Sequence, residues 1–325
     1  MINKSIIVCG CTKNSSSYIK KNLLKLLNLK DIFKNFHMVI YENDSTDNTV
    51  NELESFKQDS NSGSSSSSSS NSLFNYITEN NVKYNNLVKN GSRTRPLVIA
   101  HARNKLLEYV NNHYSHYDYM MMVDLDDILN NFTTHQIEKL FNNTNNNINI
   151  TNCDAIFANC LGKYYDIWAL RINKDIWDDN IHGKIWDNPI DYDCWEEVDK
   201  FLIEINNIIA NSSTPINKKS IIDAVQKKRF EYIYNNQRII DTSNPLIPVT
   251  SAFGGIGIYK ISKIKNCRYN PVTIKDDNQE SHSNKKKQII NCEHISFHND
   301  MINKNNAKLF IHPAFLVTQA SEHVL

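Results

Sequence analysis

The sequence predicts an α/β protein: a Rossmann-like, mostly parallel central sheet flanked by helices. Three observations predict it. Apolar runs of strand length alternate with segments of helical spacing from the first residues onward. That order favours parallel strands joined by right-handed crossovers. Several of the apolar runs stop abruptly in polar and acidic clusters, as at the ligand-binding carboxyl edge of an open parallel sheet. Finally, 325 residues with a 40% hydrophobic share are enough for a substantial core.

The elements follow in order. Ser5–Cys11 (SIIVCGC) reads as a buried strand, and Ser15–Leu29 as an amphipathic helix led by serine N-cap candidates. Phe36–Tyr41 is a second strand that ends in Glu42-Asn-Asp-Ser-Thr-Asp47, and Thr46 to Phe56 returns to helical spacing. The segment 59–72 (DSNSGSSSSSSSNS) cannot bury apolar area and is expected to be a disordered Ser-rich insertion. Leu73–Thr78 resumes as a strand, Ile99–Asn111 as a helix, and Tyr119–Val123 as another central strand. Asp154–Asn159, Tyr165–Arg171, Phe253–Tyr259 and Glu293–Phe297 are further strand candidates. The region from about 175 to 229 reads as helix and loop, and Leu309–Val317 closes the chain.

The net charge of +1, from 36 basic and 35 acidic residues, supplies no global field for a nucleic acid or an anionic membrane. No apolar run reaches the roughly 18 residues needed to span a bilayer, and the N-terminus turns polar too soon for a secretory signal. A cytoplasmic protein is expected, or a Golgi or membrane-associated one if the chain is a fragment. The seven cysteines are scattered without a C-x-x-C pair, which argues against a zinc ribbon or redox dithiol.

Chemistry concentrates where Tyr119-Met-Met-Met-Val runs into Asp124-Leu-Asp126-Asp127. Residues two apart on a strand share a face, so Asp124 and Asp126 would repel each other unless a cation neutralises them. Hard divalent ions take such oxygen ligands. Asp127, just before Ile128-Leu129, fits a capping carboxylate instead.

The ordered set VIYENDSTDNT, AHARNKLLEY and YMMMVDLDD resembles the nucleotide-diphosphosugar transferase fold called GT-A. More narrowly, it is similar to family-2-like enzymes and the fungal capsule mannosyltransferase-like group. CDAIFANCLGKYYDIWALR, FGGIGIY and CEHISFH extend the resemblance from about Ser5 to His298. It implies a single catalytic domain over 1–325, with a nucleotide-donor half at 1–130 and an acceptor half at 150–325. It also implies a Mn²⁺ or Mg²⁺ ion, a nucleotide-diphosphosugar donor and a glycan or other hydroxyl acceptor.

Residue roles follow from the resemblance. Glu42 and Asp44 would meet the nucleoside, although Asp44 or Ser45 could simply cap the next helix. Arg103 would approach the nucleotide or its phosphates, or else pair with Glu108 or a nearby Asp. Asn104 would hold the local backbone. Asp124 would contact ribose or metal, and Asp126 would ligate the metal and serve catalysis. Asp166, Trp168 and Arg171 would face the acceptor, with Trp168 equally a core residue, and Gly254 and Gly255 would allow close backbone approach or form a bulge. His294 and His298, four apart, offer one late metal ligand; either could equally be a structural histidine. Glu293 is a general base or a salt-bridge partner, and Asp191, Asp193 and Asp166 compete for the base role.

The expected reaction is metal-dependent transfer of a sugar to a hydroxyl by a hexosyltransferase, with a mannosyltransferase as the narrower form that the resemblance implies. Two alternatives remain open in the sequence. Val123–Leu129 also resembles a haloacid-dehalogenase phosphatase motif, with Asp124 as nucleophile and Asp126 as acid. A non-catalytic sugar-nucleotide-binding relative would keep the same fold.

Overall fold

The computed structural model describes residues 1–61, 72–80, 94–142, 150–211, 217–276 and 286–319. In chain order these form β1 (Ile2–Thr12), α1 (Ile19–Leu27), β2 (Phe33–Asn43), α2 (Thr49–Asn61), β3 (Phe74–Glu79), α3 (Arg95–His113), β4 (Tyr119–Asp124) and α4 (Thr134–Asn142). Then come β5 (Ala155–Cys160), α5 (Cys194–Asn211), α6 (Lys218–Tyr232), β6 (Ile247–Val249), β7 (Ile256–Lys260), β8 (Val272–Asp276), β9 (Lys286–Ile290), α7 (Glu293–Asn305) and β10 (Leu309–Val317).

The main sheet has the order β3-β2-β1-β4-β7-β5-β10-β6. Strands β3, β2, β1 and β4 are mutually parallel, as are β5 and β10. β7 runs antiparallel between β4 and β5, and β6 runs antiparallel on β10. The mostly parallel sheet flanked by helices is therefore as expected. Its central strands are buried on both faces, unlike the edge strand β3, which is why Ile6–Cys9 of β1, Tyr119–Val123 of β4 and Ala155–Ala158 of β5 read as apolar runs. A separate antiparallel ribbon joins β8 and β9.

Several expectations need correction. Ser15 does not cap α1; its backbone N–H donates to the Thr49 hydroxyl, tying the end of β1 to the start of α2. The segment 293–297 is helix, not strand. His294, Phe297, His298 and Met301 are all buried, and that spacing is helical. Residues 165–171 turn rather than extend: Asp166 accepts from the Ala169 N–H, and Arg171 alone pairs in a bridge with Ser251. Residues 59–61 of the expected insertion belong to α2, and the rest, apart from Ser72, lies outside the described residues. All seven cysteines are free thiols. No helix among the described residues is long and apolar enough to cross a membrane.

Candidate active site

Register aligns three strand ends on one edge. Thr12 lies beside Glu42, Cys11 beside Asp124, and Glu42 beside Thr78. Neighbouring strands are about 4.8 Å apart, so the backbones of Glu42 and Asp124, two strands apart, lie about 10 Å from each other.

The Asp-Leu-Asp step is built by a glycine. A Cβ on Gly10 would meet the Leu125 side chain at 2.9 Å. The bare Gly10 thus lets Leu125 tuck into the core, where it is 4% exposed. Strand geometry ends at Asp124, and Asp126 caps the short 3-10 turn that follows, accepting from the Ile128 N–H at 3.1 Å. The capping task expected of Asp127 therefore falls to Asp126. From α1, Asn22 donates to the carbonyls of Leu125 and Asp126, and Lys25 to those of Leu129 and Asn130.

Arg103 of α3 lies under this step, 4% exposed. Its Nη2 donates to Asp124 Oδ1 at 3.0 Å. Its Nη1 donates to Glu293 Oε1 and, at 2.6 Å, to His294 Nε2. The Phe253 ring lies 4.7 Å from its Cζ and the Tyr269 ring 5.7 Å. Of the alternative partners, an Asp takes Arg103, namely Asp124, while Glu108 pairs with Arg268 at 2.8 Å. Arg103 is thus buried behind Asp124 rather than open to a phosphate. Asn104, next in the chain, binds both the carbonyl and the N–H of Tyr269, at 2.8 and 3.0 Å, and so fixes that wall.

Electrostatics follow from this enclosure. The Asp124 side chain keeps 40% of its surface open. Even so, enclosure by the protein pushes its pKa up to about 6; Arg103 opposes the shift, and Asp166 and Glu293 add to it. Burial likewise raises Glu293 above the usual carboxyl range, against Arg103. Burial and then Arg103 hold His294 neutral, well below its ordinary value.

The end of β2 is organised differently from expectation. Glu42 is fully buried, and its two oxygens accept from the Ser45 N–H at 2.8 Å and the Thr78 hydroxyl at 2.6 Å. It shapes the turn rather than facing out. Asp44 sits half-buried in that turn at φ 52°, a left-handed conformation. The helix that follows is capped by Asp47, which accepts from the Thr49 N–H, not by Asp44 or Ser45.

The later residues reach the same edge through Gly254-Gly255. Gly255 O accepts from the Asp124 N–H at 2.9 Å, and the Gly254 N–H donates to Asp166 Oδ2 at 3.0 Å. Trp168 and Arg171 meet on Asp193, at 2.8 and 3.5 Å. His298 stands apart: it is fully buried, with Ser251 Oγ at 2.9 Å on Nδ1 and Tyr259 Oη at 3.1 Å on Nε2. Both ring nitrogens are committed to hydroxyls. Burial takes its pKa down to about 3.

Among the described residues, no three His, Cys, Asp or Glu side chains gather to hold a metal by themselves. The carboxylates of Asp124 and Asp126 suit a hard cation that completes its shell on ligand phosphates, and they do not suit a protein-only cage.

Sequence reasoning missed Asn22, Lys25, Phe253 and Tyr269, because each acts through a contact distant in the chain. Gly10 carried a signal, a lone glycine inside a buried strand.

A family model described as Cryptococcal mannosyltransferase 1 matches residues 5–300. No curated protein sequence matches the chain. Among solved structures, S. aureus TarS is similar at 14% identity and TM-score 0.40, covering 98% of this chain and 37% of that one. The mannosyltransferase PcManGT from Pyrobaculum calidifontis, solved with GDP-Man and Mn²⁺, is similar at 16% identity and TM-score 0.28, with coverages of 50% and 36%. Glucosyl-3-phosphoglycerate synthase from Mycobacterium tuberculosis, solved with Mn²⁺, UDP and glucosyl-3-phosphoglycerate, gives 12%, 0.27, 49% and 45%. The chain spans less than half the length of each of these three structures. At these identities and TM-scores the likenesses carry no functional information.

Proposed function

The chain belongs to the Cryptococcal mannosyltransferase 1 family, and on that premise we propose that it is a metal-dependent glycosyltransferase. It would move a hexosyl group, mannose by the family's description, from a nucleotide-diphosphosugar to an acceptor hydroxyl. The observation that carries this reading is a convergence at one sheet edge: Asp124 and Asp126 at the end of β4, and the Glu42–Asp44 turn two strands away.

In this reading residues 1–130 bind the donor and 150–325 meet the acceptor. Glu42 fixes the turn that presents Asp44 to the nucleoside. Asp124 and Asp126 would hold Mn²⁺ or Mg²⁺; when bound, such an ion offsets negative charge on the leaving diphosphate. Asn22 and Lys25 keep the Asp-Leu-Asp loop in place before the donor arrives, so little reorganisation is left for the reaction. The Gly254-Gly255 step couples Asp124 to Asp166, which lies on the acceptor side with Trp168 and Arg171. Glu293 is not given the base role, since the residue is 5% exposed and its carboxylate is held by Arg103. His298, bonded on both nitrogens, is not given a metal role.

The test is a donor-hydrolysis screen of GDP-, UDP- and CDP-sugars with Mn²⁺, repeated with the metal chelated. Release of sugar from one donor, abolished by the chelator, is expected. Turnover of an aryl phosphate with no donor hydrolysis would sink the reading in favour of a phosphatase.

A further inference from the structure

We propose that Glu293 and His294 are positioning residues. Both hold Arg103 in one place, and Glu293 shares its charge, so that Asp124 keeps its own for a divalent cation. This rests on the metal-dependent reading above and assigns a task to two buried groups which that reading leaves idle.

The argument begins with donors and acceptors. A guanidinium is planar, carries five N–H donors and accepts nothing. The contact of Arg103 Nη1 with His294 Nε2 at 2.6 Å therefore makes Nε2 the acceptor and puts the imidazole proton on Nδ1. The same Nη1 donates to Glu293 Oε1, so the first turn of α7 delivers two acceptors to one nitrogen. The Phe253 ring packs on both members, 4.0 Å from the His294 ring and 4.7 Å from the Arg103 Cζ. Farther along α7, Phe297 and Met301 anchor the helix in the core. Arg103 thus cannot swing toward or away from Asp124 without breaking the α7 contacts.

Charge gives these contacts their purpose. Arg103 alone against Asp124 would neutralise the very carboxylate that faces the sheet edge. With Glu293 on the other side, one positive charge is shared between two negative ones, and the His294 ring adds none. The cluster keeps one net negative charge, and Asp126 next to it supplies a second. Removing the charge of Glu293 gives the guanidinium wholly to Asp124 and weakens the pull on a cation. Partners outside the coordination shell typically change metal affinity by about 10–100-fold.

The experiment measures Mn²⁺ affinity, from the electron paramagnetic resonance signal of free Mn²⁺, with GDP or UDP present. Glu293→Gln is expected to weaken Mn²⁺ binding by roughly 10-fold or more. His294→Leu, which removes the acceptor, should weaken it as well, and His294→Gln, which restores one, should recover most of the loss. In an Asp124→Asn background Glu293→Gln should add nothing, because the effect runs through Asp124. Unchanged affinity in Glu293→Gln and His294→Leu overturns the proposal, as does a loss that persists without the Asp124 charge. Should Glu293→Gln not fold, the His294 pair decides alone, with equal affinities in the two variants as the refuting result. A wild-type protein that binds no Mn²⁺ with either nucleotide overturns this proposal together with the transferase reading. Wild-type binding with indifferent variants overturns the positioning role alone.

Discussion

Gly254→Ala isolates the geometry that joins the two halves of the site. Gly254 sits at φ 62°, and a Cβ there would lie 2.4 Å from the Ala158 carbonyl oxygen. The left-handed backbone costs an L-residue about 1–2 kcal/mol. The clash is with the backbone of β5, which can move only by disturbing the centre of the sheet, at a further cost of about 1–3 kcal/mol. The variant should therefore lose about 2–5 kcal/mol. At roughly 1.5 °C per kcal/mol, from an unfolding entropy of about 2.1 cal/mol/K per residue over 325 residues, the melting temperature should fall by about 3–7 °C. Gly183→Ala is the control: its Cβ would meet Asp179 Oδ1 at an ordinary 3.5 Å, and its φ is not positive. That variant should be neutral or stabilised by up to about 1 kcal/mol. Because Gly255 O holds the Asp124 N–H and the Gly254 N–H holds Asp166, Gly254→Ala should also weaken Mn²⁺–nucleotide binding. Thermal unfolding of both variants, with and without GDP and Mn²⁺, checks all of this. Equal melting temperatures for Gly254→Ala and the wild type would refute the reasoning.

Three other outcomes are expected. Asp126→Asn retains an oxygen to cap the turn at Ile128 but loses the charge. Its melting temperature should stay within about 2 °C of wild type, while the stabilisation by nucleoside diphosphate with Mn²⁺, about 2.7 kcal/mol at 100 times Kd, disappears; a retained shift would remove Asp126 from the site. Asn104→Ala strands the N–H and carbonyl of Tyr269 and should cost about 1–3 kcal/mol in urea unfolding; a loss below about 0.5 kcal/mol would count against that account. Burial depresses His37 to about 4, His312 to about 4 and His298 to about 3. The unfolded chain, titrating near 6.5, binds more protons below that pH. Stability is then full above pH 6.5 and falls as pH drops towards 4, by about 2 kcal/mol per histidine at pH 5; equal unfolding free energies at pH 7 and pH 5 would contradict the assignment.

Much of the architecture was legible because parallel strands buried on both faces need apolar centres, and Ile6–Cys9 of β1, Tyr119–Val123 of β4 and Ala155–Ala158 of β5 are such runs. The carboxyl-edge chemistry was legible for a related reason. Charged residues that directly follow such a run, as Asp124 does, have nowhere to lie but the strand end. The segment after Cys292 was misread because Glu293–Phe297 is short, and the helical period shows only when Met301 is counted with it. The turn at 165–171 was misread because Ile167, Trp168, Ala169 and Leu170 form a consecutive apolar run of strand length, while the Asp166 side chain bends the backbone by accepting from the Ala169 N–H. Glu42 looked like an open ligand for the nucleoside; the register of β2 on β3 gives its oxygens to Thr78 and Ser45 instead.

By itself the sequence determined the alternation of strands and helices, the acidic strand end and the family, because these depend on local composition and order along the chain. The tertiary structure alone decided which groups share a charge. Arg103 and Glu293 are 190 residues apart, and nothing in their local sequence marks them as partners. Their pairing exists because α3 packs against α7 as well as against β1 and β2, where burial makes an unpaired charge too costly to persist.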